Sequence, residues 1–168
     1  MNLAFHPKGV ILIILILWGV GILPGFVLAR VTPEDIVNSK KDAYASVVKS
    51  YSLDHQQRLK TLSEKIAQVN KFRTDQLENI METQASILNE YESRNSKDVE
   101  GIKKARYWIT FAHEAVSFQA AKIYVFELSN EANIKRDTLS TISLFQNDLE
   151  STRNKVINSQ KTLGGVVR

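Results

Sequence analysis

The side chains able to do chemistry are few and scattered. His6, His55 and His113 are the three histidines of a 168-residue chain that has no cysteine, so thiolate metal sites and disulfides are excluded and no local histidine set could hold a metal. His113 and Glu114 match the opening of a zinc-protease helix motif, but the position that should carry the second histidine holds Ser117, and His113 is read as an ordinary helix-face residue. Asp75, Glu78 and Glu82 are spaced by three and four on one helix face. They could attract a divalent cation, yet a hard cation needs several more oxygens from a converging loop, so they are read as a solvated face. Serine and threonine are frequent, but no strand-turn-helix elbow presents a nucleophile and no glycine-rich loop could cradle a phosphate. Tyr107, Trp108, Phe111 and Phe118 could line a ligand site; their helical spacing beside aliphatic residues reads instead as core. No catalytic, cofactor-binding or metal-binding residue is assigned, and neither an enzyme nor a small-molecule substrate is expected.

Whatever this chain presents must be positioned by its hydrophobic pattern, which begins with an uncharged run from Gly9 to Ala29, GVILIILILWGVGILPGFVLA, behind Lys8. About 20 apolar residues match the hydrocarbon thickness of a bilayer. Two readings stay open. Val27 and Ala29 form a small-x-small pair that resembles a signal peptidase site before Arg30, and Pro24 with Gly25 interrupts the helix just upstream; alternatively the run is an uncleaved anchor that Pro24 kinks. Residues 1–29 are therefore a signal peptide or N-terminal membrane anchor. With Lys8 and no acidic residue ahead of the run, an uncleaved amino terminus stays in the cytoplasm and the remainder lies outside it, membrane-anchored, secreted or periplasmic.

Formal net charge is +4. Thr61 to Glu100 holds five basic and eight acidic residues and Gly101 to Arg168 ten basic and six acidic, a spread that suits solvated helix faces. Nucleic acid is not an expected partner of an exported chain. Without cysteine, packing alone must hold the fold.

Between Glu34 and Glu100 there is no proline or glycine, and apolar residues recur at helical spacing. Thr32 as N-cap, Pro33 at the first helical position, and Glu34 and Asp35 in the first turn mark the start of a helix reaching Ser93. A break or bend is placed in the polar stretch from Ser50 to Gln56 without deciding whether the helix is continuous there. Beyond it Ile66, Leu77 and Leu88 align at eleven residues, as do Val69, Ile80 and Tyr91, a repeat close to a straight helix. The polar ESRNSKD from Glu92 to Asp98 predicts a tight hairpin with Asn95 or Ser96 capping a second helix. That helix carries two adjacent stripes: Ile102, Ala105, Ile109, Ala112, Val116 and Ile123, then Trp108, Phe111, Ala115, Phe118 and Val125. Such a wide apolar face predicts two helical neighbours, with Trp108, Ile109, Phe111, Ala112 and Val116 most buried. From Lys122 to Leu128, KIYVFEL predicts a non-helical joint. Ser129 or Asn130 then caps a third helix with Ile134, Ile142, Phe145, Leu149 and Val156 inward, ended by Gly164 and Gly165.

The expected fold is all-α: a signal or anchor segment, then an elongated, coiled-coil-like antiparallel three-helix bundle with an overhanging first helix. Its divisions are a membrane-proximal stalk over 30–55, the bundle over 56–163 and a flexible tail over 164–168. The stalk stripe Val37, Tyr44, Val48 and Tyr51 finds no intrachain partner in this reading, so it pairs between chains or lies on lipid.

AAKIYVFEL leading into NEANIKRDTL and LFQNDLESTRNKVINSQKTL, within Ile102 to Arg168, resembles uncharacterised small exported helical proteins of candidate-phyla bacteria with reduced genomes. Those proteins tend to show a Gln-Ala-Lys-Tyr joint followed by an L-x-x-D-L helix; here Leu144 departs from that spacing. The resemblance implies an envelope location and a helical fold only. The function read from the sequence is an exported, membrane-associated structural or interaction module of the bacterial envelope, without catalytic activity. Its partners would be the membrane, through the amino-terminal segment, and protein, either itself or another envelope protein. The alternatives are a periplasmic holdase similar to the Skp-type chaperones and a helical accessory subunit of a secretion or pilus apparatus. The chaperone likeness rests on exported size, basic pI and long helices, while Thr32 to Asp35 starts a helix where those proteins start a strand.

Overall fold

Long stretches free of glycine and proline, with apolar residues every three or four positions, leave the backbone one economical way to satisfy its hydrogen bonds. The computed structural model describes residues 32–94 and 97–168, and there the chain is helical with one long non-helical segment. Helix α1 spans Pro33–Val48, α2 Leu53–Arg94, α3 Val99–Ala121 and α4 Ile134–Val166. Residues 122–130 form a non-helical segment, extended at Lys122 and at Asn130, and a 3-10 turn at Glu131–Asn133 leads into α4. The four helices pack together, and Pro33–Arg168 forms one compact unit. Among the described residues no helix is long and apolar enough to cross a membrane. The run from Gly9 to Ala29, with the signal and anchor readings placed on it, lies outside the described residues.

Helix α1 starts at Pro33 with Glu34 and Asp35 in its first turn, as the sequence predicts. The question left open over Ser50 to Gln56 is answered by a break between Val48 and Leu53, so the stretch from Pro33 to Ser93 is two helices. Ser50 turns both its backbone N–H and its hydroxyl back to the Val47 carbonyl, tightening the last turn into a corner.

Paired side chains give the helix directions. Arg106 bonds Glu92, His113 meets Glu78 and Gln119 bonds Asn70, so α3 descends as α2 ascends. Ser159 of α4 bonds Gln84 of α2, while Lys155 lies over Phe111 and Lys122 pairs with Asp148. Helix α4 thus runs with α2 and against α3, and these three helices contact one another pairwise. At about 1.5 Å per residue, α2 is about 63 Å long and α3 about 35 Å, so α3 covers only part of its neighbour.

The uncovered beginning of α2 is where the structure corrects the expected stalk. Tyr44, Val47 and Val48 pack on a cluster of Tyr51, Leu59, Ile66, Phe126 and Phe145. The corner after Val48 turns the stripe inward, and the non-helical segment supplies its partner in Phe126, 2% exposed. A second cluster joins Leu77, Met81, Leu88, Ile102, Ala105, Ile109, Ala112, Val116, Val156 and Leu163, and Leu149 packs against both.

Two boundaries also differ from expectation. The N-cap of α3 is Asp98, which accepts the Gly101 N–H at 3.1 Å; Asn95 and Ser96 lie outside the described residues. At the other end, α4 continues through Gly164 and Gly165, so 164–168 is no separate tail. Val166 and Val167 pack on the core, which offsets the roughly 1 kcal/mol that each helical glycine costs relative to alanine.

Candidate interaction surface

The inner face of α3 is built around alanine. Ile102, Ala105, Ile109, Ala112 and Val116 are buried, with Ala105 and Ala112 each 0% exposed. The aromatic residues lie too far round to share that burial: at about 100° per residue Tyr107, Phe111 and Phe118 fall more than a third of a turn from the centre of the inner stripe. The expectation that the whole wide face is core is thereby corrected: Trp108 and Ala115 are half-buried, while Tyr107, Phe111 and Phe118 are exposed at 63, 38 and 68%. Ile123, expected on the inner stripe, lies outside at 56%.

The result is an aromatic ridge along the outside of α3. The rings of Tyr107 and Phe111 are nearly parallel with centroids 6.3 Å apart, and Trp108 meets both edge-on at 5.7 and 5.8 Å. Two ammonium groups sit on it: Lys155 of α4 lies 5.2 Å from the centre of the Phe111 ring, and Lys122, just past the helix end, 5.1 Å from that of Phe118. Each such contact contributes about 0.5–1 kcal/mol at an exposed site and keeps a positive charge beside an apolar surface.

The ridge is held in place by polar groups satisfied within the fold. Gln119 donates to the Asn70 side chain and to the Tyr124 hydroxyl, both at 2.9 Å, and Asn70 donates back to the Gln119 carbonyl. Tyr124 donates to Asp148 at 2.9 Å, and Lys122 closes the network on the same carboxylate. Burial pushes the Tyr124 hydroxyl up to about 12, with the Asp148 carboxylate adding to the rise against the Gln119 bond, so it stays a proton donor. Because this network ties α2, the joint and α4 together, α3 and Lys122 keep one orientation. Higher up, Ser159 donates to Gln84 at 2.6 Å in a fully buried position and sets the register of α4 on α2.

A third polar node locks the joint. Glu131 accepts the backbone N–H and hydroxyl of Ser52 at 2.8 and 2.7 Å, and His55 Nδ1 lies 2.6 Å from the same oxygen. The Ser52 hydroxyl, then His55 and the Ser52 N–H, hold the Glu131 carboxyl down at about 2. Asp137 is lowered likewise by the hydroxyl and N–H of Ser129, while Asn130 caps the 3-10 turn by accepting from Asn133. Neither of the expected caps serves the third helix itself: its N-cap is Asn133, which makes no side-chain cap bond, while Asn130 caps the preceding 3-10 turn and Ser129 donates to Asp137.

The residues singled out for chemistry are drawn into side-chain pairs with neighbours or left apart. His113 Nε2 lies 2.5 Å from Glu78, and Asp75 pairs with Lys71. Among the described residues no three histidine, aspartate or glutamate side chains converge as a metal site. His55 belongs to the Glu131 node. An open groove of about 910 Å3 between α2 and α4 is lined by Arg73, Ile80, Leu149, Glu150 and Arg153. No nucleophile or acid–base pair lines it. Sequence reasoning missed Lys155 as part of the ridge and Glu131 as the joint lock, because nothing local marks either.

No family model matches the chain, and no curated protein or solved structure is significantly similar to it.

Proposed function

We propose that this protein is an exported, membrane-associated helical interaction module of the bacterial envelope, without catalytic activity, whose docking face is the α3 ridge. The observation that carries this reading is the exposure of Tyr107, Phe111 and Phe118 beside buried polar networks that are satisfied within the fold. Exposed aromatic rings rimmed by polar residues are a feature of binding surfaces, where rings supply contact area at small entropic cost. The reading takes Gly9 to Ala29 as the signal or anchor that exports the chain, and α2, α3 and α4 as an elongated antiparallel three-helix bundle on which α1 forms the membrane-proximal part. The likeness of Ile102 to Arg168 to small exported helical proteins agrees with the same location.

Fractionation of cells with amino-terminal sequencing tests location: Arg30 first means a released protein, Met1 a tethered one, and recovery in the cytoplasm overturns the reading. Replacing Tyr107, Phe111 and Phe118 together by serine tests the face. Loss of co-fractionation with membrane or partner at an unchanged melting temperature is expected; retention of both removes the ridge from the function. Suppression by the wild-type chain of light scattering from an unfolded client would instead identify a holdase.

A further inference from the structure

The outer stripe of α3 is self-complementary about Phe111. Counting from that residue along the helix, Trp108 and Glu114 lie three positions to either side, Tyr107 and Ala115 four, Lys104 and Phe118 seven, and Glu100 and Lys122 eleven. All these offsets return to the face that Phe111 occupies on a helix of 3.6 residues per turn. Tyr107 and Glu114 share one flank of the stripe and Trp108 and Ala115 the other, while Lys104, Phe118, Glu100 and Lys122 lie near its midline. A phenol donor suits a carboxylate acceptor, a large ring a small methyl, an ammonium an aromatic face and a carboxylate an ammonium.

We infer that this face docks on the same face of a second copy, with α3 antiparallel to its counterpart about a two-fold axis through Phe111. This inference rests on the reading of the ridge as a docking face and names its partner. A two-fold axis perpendicular to both helices brings 111 + n of one chain level with 111 − n of the other and keeps each flank of the stripe on its own side, so every contact occurs twice, the condition for an isologous contact. Phe118 would lie against Lys104, Tyr107 beside Glu114, Trp108 over the space left by Ala115, and Glu100 beside Lys122, whose ammonium already pairs with Asp148 at 2.8 Å. The two Lys155 ammonium groups come near the axis, and Glu114, three positions away in each chain, offsets them. A single helix pair buries less than the roughly 1,200 Å2 of a standard stable interface, so the dimer is weak and concentration-dependent. Membrane attachment of both copies raises their effective concentration and favours it.

The absence of cysteine makes the geometry directly testable by oxidation of single-cysteine variants of the full chain in membranes. Phe111→Cys, on the axis, is expected to form a disulfide-linked dimer at least tenfold faster than Asn79→Cys on α2. Tyr107→Cys mixed with Glu114→Cys should cross-link severalfold faster than either alone, and Glu100→Lys should slow the reaction of Phe111→Cys severalfold. Circular dichroism confirms that each variant is folded. Equal rates for Phe111→Cys and Asn79→Cys in folded protein would overturn the two-fold pair. A photoreactive residue at Tyr107 separates the two levels: an adduct with lipid or with a different protein keeps the docking face and discards the self-pair, and no adduct at all discards both.

Discussion

Glu131 accepts the backbone N–H of Ser52 at 2.8 Å across 79 residues of sequence, so the carboxylate of the 3-10 turn caps the start of α2. An anionic side chain at a helix amino terminus satisfies an orphan N–H and suits the helix dipole. This bond fixes where the corner between α1 and α2 meets the joint between α3 and α4.

Because Glu131 is held at about 2, below its ordinary 4.5, folding favours its ionised form. The sign follows from linkage: its contribution to stability is fully present above about pH 4.5 and is lost as pH falls toward about 2. Glu131→Gln is expected to lower the melting temperature at neutral pH, with the gap to wild type narrowing as melts are recorded from pH 5 down toward about 2. A gap that stays constant across that range would show that the carboxylate charge is not what caps α2.

Phe126 is the anchor of the lower core, packed with Tyr51, Leu59, Ile66 and Phe145. Phe126→Ala is expected to cost about 3–5 kcal/mol, the range for truncating a buried aromatic. Differential scanning calorimetry would read this as a fall of about 10 °C in Tm. A fall of only one or two degrees would mean that the non-helical segment is not an integral part of the fold.

Tyr51 has the opposite expectation. Its ring is buried but its hydroxyl, buried as well, has no hydrogen-bond partner, and burial together with the nearby Asp137 and Glu131 carboxylates pushes its pKa up. Tyr51→Phe removes an unsatisfied polar group and should raise stability by about 1 kcal/mol in chemical denaturation. A loss of stability would reveal a partner for that hydroxyl.

The two faces of α3 should respond differently to substitution. Ile109→Asp places an unpaired charge in the inner core and is expected to abolish cooperative melting, whereas Tyr107→Ser on the outer face should shift Tm by no more than a degree or two. Equal sensitivity of both would place the ridge inside the fold.

Removing residues before Leu53 should leave α2, α3 and α4 helical but strip Tyr44, Val47, Val48 and Tyr51 from the lower core. Lower stability with retained helical circular dichroism is therefore expected, accompanied by protease cleavage within 122–130. A truncated chain as stable as the parent would restore the freely projecting stalk.

Local sequence was sufficient for the helices, because helix formation depends on spacing and on local start and stop residues. Proline at 33, the polar corner near Ser50, the hairpin before α3 and the β-branched joint at KIYVFEL could all be read that way. The inner stripe of α3 was also legible, since its residues recur at helical intervals. What spacing cannot convey is how wide a buried arc will be once neighbours arrive. Apolar residues recur on both sides of α3, and only the packing of α2 and α4 decides that Ile109 is buried while Tyr107 and Phe111 stay outside. The stalk follows the same logic in reverse: local spacing gives Tyr44 and Val48 no partner, because Phe126 lies far along the chain on a segment with no helical period. The caps and ion pairs that tie the fold together, Glu131 to Ser52 and Asp148 to Lys122, join residues distant in sequence, and such pairs come into existence only with the tertiary structure.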